Sequence, residues 1–586
     1  MSTGNPEASA AVGAYRSLVP AGLRRRIARR VPIRLRMVLK HVLRRLHALS
    51  LASRLFRGFR ARRRWPHLFR EGERLAALAG HGDRIALVRP TVSPLGLREA
   101  NLELVVTALE DAGVDYFAIR GTSDFRSALA VSESDREQVT RALERCAGQS
   151  PLYVRVCRGE TPQARAMLAG SRGGRQQARH AAVLQIGMVW SDPTGSLVLG
   201  LEHSCDIEFW KPEAGRLVAP RPNRVTDDVS LREARVTVPV SRLTGFAALH
   251  TRRTRSVRTV QACADALPED VRFPIDVVYT WVDGNDPAWQ RRRSAYDGGY
   301  HTESANAARY ISRDELRYSL RALEQNAPWV RHVYLVTDGQ RPAWLNDGHP
   351  RLTVVDHSEI FDDPAALPTF NSHAIESRLH HIKGLSEHFL YLNDDMFLGC
   401  PVTPQDFFLS NGMTRTFFSP SQVPRWGPSP VDRPVDAAGK NNRRLLMENF
   451  GSVIVQKLRH APYALRRSVL DEIEREYSEA HWQTSHSRFR SATDISIPSS
   501  LYHYYAYFTG RAVPSNIRFA YLDLARPEVA RRLGILLARR DRQAFCINDT
   551  LSDGHDVDRQ TEMLGTFLRA YYPVPSPFER KEHEAR

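Results

Sequence analysis

Short apolar runs alternate with an amphipathic stretch between residues 84 and 265. The runs RIALVRP, DYFAIRG, AAVLQIGMVW and CDIEFWK have the length and the β-branched or aromatic content of strands. The stretch LREANLELVVTALEDAG has apolar residues at helical spacing and ends at a glycine. This pattern predicts a separate N-terminal α/β module, whose role the pattern does not identify.

Two acidic residues of this module, Asp206 and Glu208, alternate along one predicted strand and therefore share a face of it. Two carboxylates on one face can hold a metal ion. A solvated strand face explains the same pattern, and it is the interpretation that we favour.

A second and more definite pattern follows a proline-containing connector at 266–274. IDVVYTWV is a nearly continuous apolar run, typical of a strand buried on both faces, and HVYLVTDG, RLTVVDH and HFLYLNDDMF predict three further strands. One helix is predicted from a capping box of Ser312 and Glu315 to a stop at Asn326 and Pro328, and another in SHAIESRLHHIKG. The order predicts an α/β fold with a Rossmann-like nucleotide-sugar-binding core over 274–420.

The rest of the chain is predicted to be mainly helical. Residues 421–445 are rich in proline and lack periodicity, so we expect a loop that could close over a site. Residues 446–560 are predicted to be a helical part that completes the active site, and 561–586 a charged tail. No apolar run approaches the roughly 20 residues of a transmembrane helix, and the six cysteines lack paired spacing. We therefore expect a cytoplasmic protein with reduced cysteines.

The formal net charge of +18 comes from one N-terminal segment. Between Glu7 and Glu71 there are 18 Lys and Arg residues and no acidic residue. Because apolar residues are interleaved with arginine here, residues 1–80 are predicted to be a basic arm, either an amphipathic helix on an anionic membrane surface or a solvated, disordered tail. Nucleic-acid binding is less favoured because aromatic residues for stacking are few.

Two adjacent aspartates, Asp394 and Asp395, end the predicted strand HFLYLN, where open α/β sheets bind ligands. Carboxylates suit Mg²⁺ or Mn²⁺ bridging a diphosphate, whereas an ordinary exposed turn is the simpler alternative. On the preceding helix, His373, Glu376 and His380 share one side. Zinc is disfavoured because two full turns separate the histidines, so general acid or base catalysis is the better use for one of them.

Three arginines, Arg313, Arg317 and Arg321, recur four residues apart on the helix that precedes the second strand. Arginine binds phosphate well through bidentate hydrogen bonds. A solvated helix face that pairs with Asp314 and Glu324 is an equally good explanation.

Four stretches resemble, in order, the four conserved regions of the Stealth family: IDVVYTWVDGNDPAW, RDELRYSLRALEQNAPWVRHVYLVTDGQRPAWL, LPTFNSHAIESRLHHIKGLSEHFLYLNDDMFLG and FCINDTLSD. This family includes bacterial capsular polysaccharide phosphotransferases and the catalytic subunit of the lysosomal-enzyme N-acetylglucosamine-1-phosphotransferase. The resemblance covers about residues 274–556. The large insertions of the lysosomal enzyme are absent, which points to a compact bacterial type and argues against a protein acceptor.

The resemblance implies transfer of hexose-1-phosphate or N-acetylhexosamine-1-phosphate from a UDP-sugar to a glycan hydroxyl, with release of UMP, in surface or capsular polysaccharide synthesis. Mg²⁺ or Mn²⁺ is the implied cofactor. The alternative is a metal-dependent glycosyltransferase that releases UDP, and a third class is a scaffold that docks through its basic arm. The implied partners are the UDP-sugar, the glycan and an anionic membrane surface on the inner face of the cell membrane contacted by residues 16–70, with no nucleic acid.

The resemblance also implies roles for individual residues. The implied catalytic residues are His373, Glu376, Arg378, His380 and Arg490. The implied nucleotide-binding residues are Thr280, Trp281, Asp283, Arg313, Arg317 and Asn371. The implied metal-binding residues are Asp394, Asp395, Asn548 and Asp549, with Asn393 beside the first pair and Asp553 and Asp556 after the second. His373 is our candidate general base, with His380, His460 and His486 as alternatives, and Asp494 resembles a further polar position of the family.

Overall fold

Apolar side chains of this chain collect into two large cores, one formed by residues 87–263 and the other by Phe246 and residues 271–578. The computed structural model describes residues 56–69, 72–78, 82–246, 255–296, 312–429, 431–549 and 557–580. Most of the predicted basic arm, and also Asp553 and Asp556, lie outside the described residues. Within the described part, residues 56–64 are helical. No helix among the described residues is both long enough and apolar enough to cross a membrane.

The N-terminal half is mixed α/β, as predicted. Its strands are β1 (Glu73–Leu78), β2 (Gly82–Val88), β3 (Tyr116–Ile119), β4 (Ser127–Ser132), β5 (Tyr153–Arg158), β6 (Thr161–Pro162), β7 (Met167–Leu168), β8 (Val183–Gly187), β9 (Trp190–Ser191), β10 (Val198–Leu199), β11 (Cys205–Glu213), β12 (Arg216–Val218), β13 (Asp228–Ser230), β14 (Arg235–Pro239) and β15 (Ser256–Val260). Its helices are α1 (Pro94–Asp111), α2 (Arg136–Ala147), α3 (Arg172–His180) and α4 (Gln261–Ala264). The main sheet runs β14-β15-β3-β4-β11-β8-β5-β6, and β1-β2-β9-β10 form a smaller one.

The helix predicted in LREANLELVVTALEDAG is confirmed as α1, and Ser93 caps it by accepting from the Gly96 amide. Leu97, Val105 and Leu109 are buried on this helix, which covers one face of the main sheet. Its apolar spacing thus forms the core contact that the pattern predicted.

The solvated face predicted for Asp206 and Glu208 is wrong. Both carboxylates are buried, and the Arg221 guanidinium lies 2.9 Å from Asp206 Oδ2 and 2.7 Å from Glu208 Oε1. Because buried carboxylates need a compensating charge, the arginine takes the place that a cation would occupy. Arg221 follows β12 in the chain, and the sequence spacing gave no indication that it pairs with Asp206 and Glu208.

The C-terminal half is built around a five-stranded sheet, in the order β18-β17-β16-β19-β24. The strands of this half are β16 (Ile275–Thr280), β17 (Val333–Thr337), β18 (Leu352–Asp356), β19 (His388–Asn393), β20 (Met396–Leu398), β21 (Thr414–Thr416), β22 (Phe418–Gln422), β23 (Gln456–Leu458), β24 (Tyr463–Arg466), β25 (Ala512–Pro514), β26 (Phe519–Asp523) and β27 (Ala544–Asn548). The first four strands of the sheet are parallel and β24 is antiparallel. The strands predicted in IDVVYTWV, HVYLVTDG, RLTVVDH and HFLYLNDDMF are therefore confirmed, over 275–280, 333–337, 352–356 and 388–393.

The chain leaves β16 towards β17 and β18 on one side and returns to β19 on the other. The carboxyl ends of β16 and β19 are thus neighbours, with Thr280 paired to Asn393. Such a reversal of strand order opens a crevice beyond the strand ends, where ligands bind in open α/β sheets.

The helices of this half are α5 (Pro287–Ser294), α6 (Glu315–Asn326), α7 (Ser372–Ser377), α8 (Pro434–Phe450), α9 (Arg467–Glu476), α10 (Ser478–Ser485), α11 (Tyr502–Phe508), α12 (Val529–Arg539) and α13 (Val557–Tyr571). The predicted loop at 421–445 is wrong beyond Arg433, because Pro434 occupies the first turn of α8, where its missing N–H costs nothing.

The capping box predicted at Ser312 and Glu315 is also wrong. The residue that precedes α6 is Asp314, which has a left-handed backbone with φ of 64° and no side-chain cap. The Glu315 carboxylate instead accepts from the Arg313 amide at 2.5 Å. This turn directs Glu315 into the protein interior rather than along the helix end.

The charged tail predicted at 561–586 is contradicted as far as Arg580. Helix α13 buries Leu564, Leu568 and Tyr571 in the C-terminal core. Beyond it, the Glu579 carboxylate is buried between two arginines of α6. The apolar residues of α13 recur at helical spacing among charged ones. This explains why the segment packs into the fold.

Candidate active site

Asp394 and Asp395 directly follow the carboxyl end of β19 and lie at the crevice beside β16. The next strand, β20, pairs with β27, and the Ile547 amide donates to the Asp395 carbonyl at 3.0 Å. The Cys546 thiol also donates to Asp395 Oδ2 at 3.2 Å. Strand pairing therefore brings the sequence around Asn548 to the aspartate pair from more than 150 positions away.

Three carboxylates lie together at this point. Burial, reinforced by the charges of Glu315 and Asp395, raises the pKa of Asp394 well above its ordinary value. Burial and the Asp395 charge also raise the pKa of Glu315 to about 7. Among the described residues, neither Asp394 nor Asp395 forms a salt bridge with an arginine or lysine. The three carboxylates therefore crowd together, and the charged forms of Asp394 and Glu315 are disfavoured unless a cation joins them.

This arrangement fits a divalent cation. Hard cations such as Mg²⁺ bind carboxylate oxygens, and one oxygen of Asp395, Oδ1, is buried without a hydrogen bond within the described structure. Asp395, His460 and Cys546 also bring their ligand atoms within 4.8 Å of one another. Asp394 and Asp395 would be the residues to hold such an ion, and the charge of Glu315 acts on the same pair.

The second predicted metal-binding pair, Asn548 and Asp549, already has hydrogen-bond and salt-bridge partners within the chain. Asn548 donates from Nδ2 to the Tyr521 hydroxyl at 3.0 Å. The Asp549 carboxylate lies 2.7 Å from the Arg313 guanidinium, which compensates its charge. Arg313 is therefore tied to the chain's own carboxylate, and it connects the start of α6 to the end of β27.

His460 stands directly beside the aspartate pair. Its Nε2 lies 3.5 Å from Asp395 Oδ1, and its Nδ1 lies 3.1 Å from the Tyr463 hydroxyl. Burial would lower the pKa of His460, but the charges of Asp395 and Glu376 outweigh it, so the pKa is raised. A protonated His460 would supply positive charge where the carboxylates collect.

Helix α7 supplies the next group of polar side chains. Asn371 caps it by accepting from the His373 amide at 3.0 Å, and its Nδ2 donates to Asp494 Oδ2 at 2.8 Å. The same carboxylate oxygen lies 3.4 Å from His373 Nδ1. Asp494 is fully buried, so it orients the imidazole and leaves Nε2 as the nitrogen able to take a proton. Arg490 donates to Ser372 at 2.6 Å and thus lies at the start of the same helix.

Glu376, one turn further along α7, connects this helix to the sheet. The Tyr391 hydroxyl donates to Glu376 Oε1 at 3.2 Å and accepts from Thr280 at 3.0 Å. Thr280 is the last residue of β16, so three elements meet in one chain of hydrogen bonds.

Other predicted site residues lie elsewhere. Helix α7 ends at Ser377, so His380 does not share a face with His373 and instead contacts Glu474 at 2.5 Å. Arg378 also contacts Glu474, and Arg317 pairs with Glu579 at 2.6 Å.

Trp281 packs partly buried against the core. Asp283 Oδ1 accepts from the Asn285 amide in the turn after β16, and His486 pairs with Asp363 at 3.1 Å. Trp281, Asp283 and His486 therefore each have a structural partner in the fold.

Sequence reasoning missed Glu315, Tyr391 and Cys546 as members of this site. Tyr391 and Cys546 lie within apolar strands, where an aromatic residue or a cysteine normally signals core packing. For Glu315, the sequence pattern predicts a helix-capping role instead. The one available signal was the position of Tyr391, two residues before the end of the strand that carries the aspartates.

Four sequence models of Stealth proteins match this chain. Conserved region 1 matches residues 273–301, region 2 matches 309–416, region 3 matches 459–507 and region 4 matches 535–586. The two stretches attributed above to the second and third regions thus both lie in region 2. Region 3 is the segment that contains His460, Arg490 and Asp494.

Curated relatives are similar over nearly the whole chain. An exopolysaccharide phosphotransferase of Streptomyces coelicolor is 92% identical over 100% of both chains, and a second from the same organism is 46% identical over 98% of this chain and 99% of its own. The exopolysaccharide phosphotransferase CpsY of Mycobacterium tuberculosis is 34% identical over 85% of this chain and 91% of its own.

Among solved structures, the galactosyltransferase LgtC in complex with donor and acceptor sugar analogs is 12% identical, with a TM-score of 0.27, over 50% of this chain and 95% of that one. The mixed α/β fold and the sequence matches define a transferase enzyme. The chain belongs to the Stealth family of phosphotransferases.

Proposed function

We propose that this protein transfers hexose-1-phosphate or N-acetylhexosamine-1-phosphate from a UDP-sugar to a glycan hydroxyl and releases UMP, in the synthesis of a surface or capsular polysaccharide. The observation that carries the proposal is the carboxylate cluster of Glu315, Asp394 and Asp395 at the reversal point of the sheet, where no arginine or lysine of the described segments forms a salt bridge with either aspartate. The names of the relatives support phosphoryl transfer in exopolysaccharide synthesis.

The five-stranded sheet is then a Rossmann-like nucleotide-sugar-binding core. The donor diphosphate would lie in the crevice beyond Thr280 and Asn393, next to Asp394 and Asp395. Mg²⁺ or Mn²⁺ held by these carboxylates would neutralise the diphosphate and stabilise charge that develops on the phosphoryl oxygens. Asn548, the last residue of the strand that pairs with β20, would add an amide oxygen.

The protein's own residues would activate the acceptor. His373 Nε2 takes the proton of the acceptor hydroxyl, and Asp494 holds the imidazole from the Nδ1 side. The acceptor oxygen forms a bond to the phosphorus that carries the sugar, while the bond from that phosphorus to the oxygen bridging to UMP breaks. Arg490 and His460 lie close enough to α7 and Asp395 to stabilise the added negative charge.

His373 and His460 remain the two candidates for the general base. His380 turns to Glu474, and His486 pairs with Asp363. His460 already has a raised pKa and a carboxylate beside Nε2, which suits a cation better than a base at neutral pH.

The N-terminal arm suggests where the enzyme works. Residues 16–70 would bind an anionic membrane surface, with the protein peripheral on the cytoplasmic side, near a glycan acceptor. A vesicle co-sedimentation assay tests this part, and equal binding to neutral and anionic vesicles would reject it.

The nucleotide product decides the reaction. Purified protein is incubated with UDP-sugars and a polysaccharide acceptor, with and without Mg²⁺, and nucleotides are separated by anion-exchange chromatography. We expect UMP, and we expect Asp394→Asn and Asp395→Asn to reduce its formation by about 100-fold or more while Asp347→Asn, a surface control, does not. Release of UDP would establish the glycosyltransferase alternative instead.

A further inference from the structure

A second cluster of metal-ligating side chains lies apart from the carboxylate site, on the far end of α7. Three histidines surround the Glu474 carboxylate of α9. His380 Nε2 and His381 Nε2 lie 2.5 and 2.8 Å from Glu474 Oε2, and His481 Nδ1 of α10 lies 3.7 Å from Oε1. Ligand atoms of His380, Glu474 and His481 all fall within 4.8 Å of one another.

The hydrogen bond of His481 shows how this residue faces the cluster. Its Nε2 lies 3.0 Å from the Ser377 carbonyl, which can only accept, so Nε2 carries the proton. A neutral His481 then presents the bare Nδ1 lone pair to a carboxylate oxygen. Two acceptors that face each other repel unless a cation compensates them; Arg378 compensates Glu474 Oε1, so it is the bare Nδ1 of His481 that a further cation would neutralise.

We propose that His380 Nε2, His481 Nδ1 and Glu474 form a binding site for a zinc-class cation, with His381 Nε2, at the edge of the cluster and 2.8 Å from Glu474 Oε2, as its fourth ligand. Imidazole nitrogen and carboxylate oxygen are the ligands such ions prefer, and four of them complete a tetrahedral shell. Ligand atoms around tetrahedral Zn²⁺ lie roughly 3.3 Å apart, given bonds of about 2.0 Å. His380 and His381 lie 2.5 and 2.8 Å from Glu474 Oε2, and His481 lies 3.7 Å from Oε1, so each histidine is within about 1 Å of that spacing from a carboxylate oxygen.

The surroundings of the cluster also suit a bound metal. His380 and His481 are 2% and 3% exposed, whereas Glu474 and His381 are partly exposed, so the site is buried on one side and open to solvent on the other. Arg378 donates to Glu474 Oε1 at 2.6 Å, and Ser377 holds the far nitrogen of His481. Outer contacts of this kind orient metal ligands.

His373 and His380 are too far apart to bind one zinc ion together, as their spacing in the sequence predicts. The chain bends after Ser377, so His380 leaves the catalytic side of α7 and joins two histidines from other positions. The site would fasten the end of α7 to α9 and α10, and so hold His373 and Glu376 in place. It differs in chemistry from the oxygen-rich site of Asp394 and Asp395.

The first test measures metal in the full-length protein. Protein purified without chelator is analysed by inductively coupled plasma mass spectrometry, then stripped and titrated with Zn²⁺ or Co²⁺. We expect one tightly held Zn²⁺ per chain, and the strong visible absorption of tetrahedral Co²⁺ without a sulfur-to-cobalt charge-transfer band. A wild-type chain that binds neither ion tightly would overturn the proposal.

Variants assign the bound ion to a place. His381→Gln, at the edge of the cluster, and His481→Phe, which fills the buried volume, should each lower zinc affinity by about 100-fold or more. His332→Gln, which removes a histidine whose Nε2 lies 2.8 Å from the Thr353 hydroxyl, should not. Cys546→Ser should also leave the zinc in place, because that thiol belongs to the other cluster.

These readouts do not depend on phosphotransferase activity. Unchanged zinc content in both His381→Gln and His481→Phe, or loss of zinc in Cys546→Ser, would show that the ion lies elsewhere. If His481→Phe does not fold, the His381→Gln titration still decides the question.

Discussion

The Tyr391 hydroxyl donates a hydrogen bond to the Glu376 carboxylate at 3.2 Å, across the gap between β19 and α7. Because Tyr391 also accepts from Thr280, this single hydroxyl links both strands that border the crevice to the helix that carries His373. The position of α7 relative to Asp394 therefore depends on a phenol buried within an apolar strand.

Tyr391→Phe should reduce turnover about tenfold and lower the free energy of unfolding by about 1 kcal/mol, because it leaves Glu376 without this partner. Steady-state kinetics and urea unfolding measure both effects. The matched control is Tyr153→Phe, whose hydroxyl accepts from the Ile85 amide in the N-terminal half. This control should lose similar stability and no turnover. Full activity in Tyr391→Phe would contradict the positioning role.

Asp494→Asn should reduce kcat/KM by roughly 100-fold or more, because the amide no longer fixes the His373 imidazole with a bare Nε2. The pH profile of kcat/KM should change as well, since the residue that orients the candidate base loses its charge. The control is Asp192→Asn, a buried aspartate that accepts backbone hydrogen bonds from Thr194 and Leu197. A pH profile identical to that of the wild type would count against His373 as the base.

The sheet was predictable because its strands are buried on both faces. Apolar runs such as IDVVYTWV admit few other interpretations, and β16 and β19 begin and end close to the predicted positions. The reversal of strand order between them places Asp394 in the crevice, in agreement with the prediction from strand ends alone.

The contacts that complete the site depend on backbone turns and on long-range pairing, which local patterns do not encode. The left-handed residue Asp314 redirects Glu315, and the bend after Ser377 separates His380 from His373 without a proline or glycine to mark it. The pairing of β20 with β27 joins positions 150 residues apart. Periodicity identifies the elements, whereas these turns and pairings decide which side chains meet.

Glu579→Gln should destabilise the protein by about 3 kcal/mol, because it leaves two arginines of α6 without a buried counter-charge. Glu579 Oε2 lies 2.6 Å from both Arg317 and Arg321. Glu562→Gln, on the exposed face of α13, is the control and should be nearly neutral. Chemical denaturation of the full-length variants measures the difference. Equal stability of the two variants would show that the C-terminal segment does not support the core.

Glu472→Gln should lower the free energy of unfolding by about 1 kcal/mol at pH 7, a value reduced for the partial exposure of this carboxylate. Hydrogen bonding by Arg511, joined by the Tyr505 hydroxyl, lowers the pKa of Glu472 to about 2. An unfolded glutamate titrates near 4.5, so the folded state favours the charged form, and its contribution is complete above that pH. The contribution is lost as pH falls from about 4.5 towards about 2.

The stability difference between wild type and Glu472→Gln should therefore shrink steadily over that pH window in urea titrations. The control is Glu448→Gln, which changes an exposed partner of Arg444 and should have almost no effect on stability. A difference that stays constant from pH 7 to pH 3 would mean that the ion pair with Arg511 does not carry the effect.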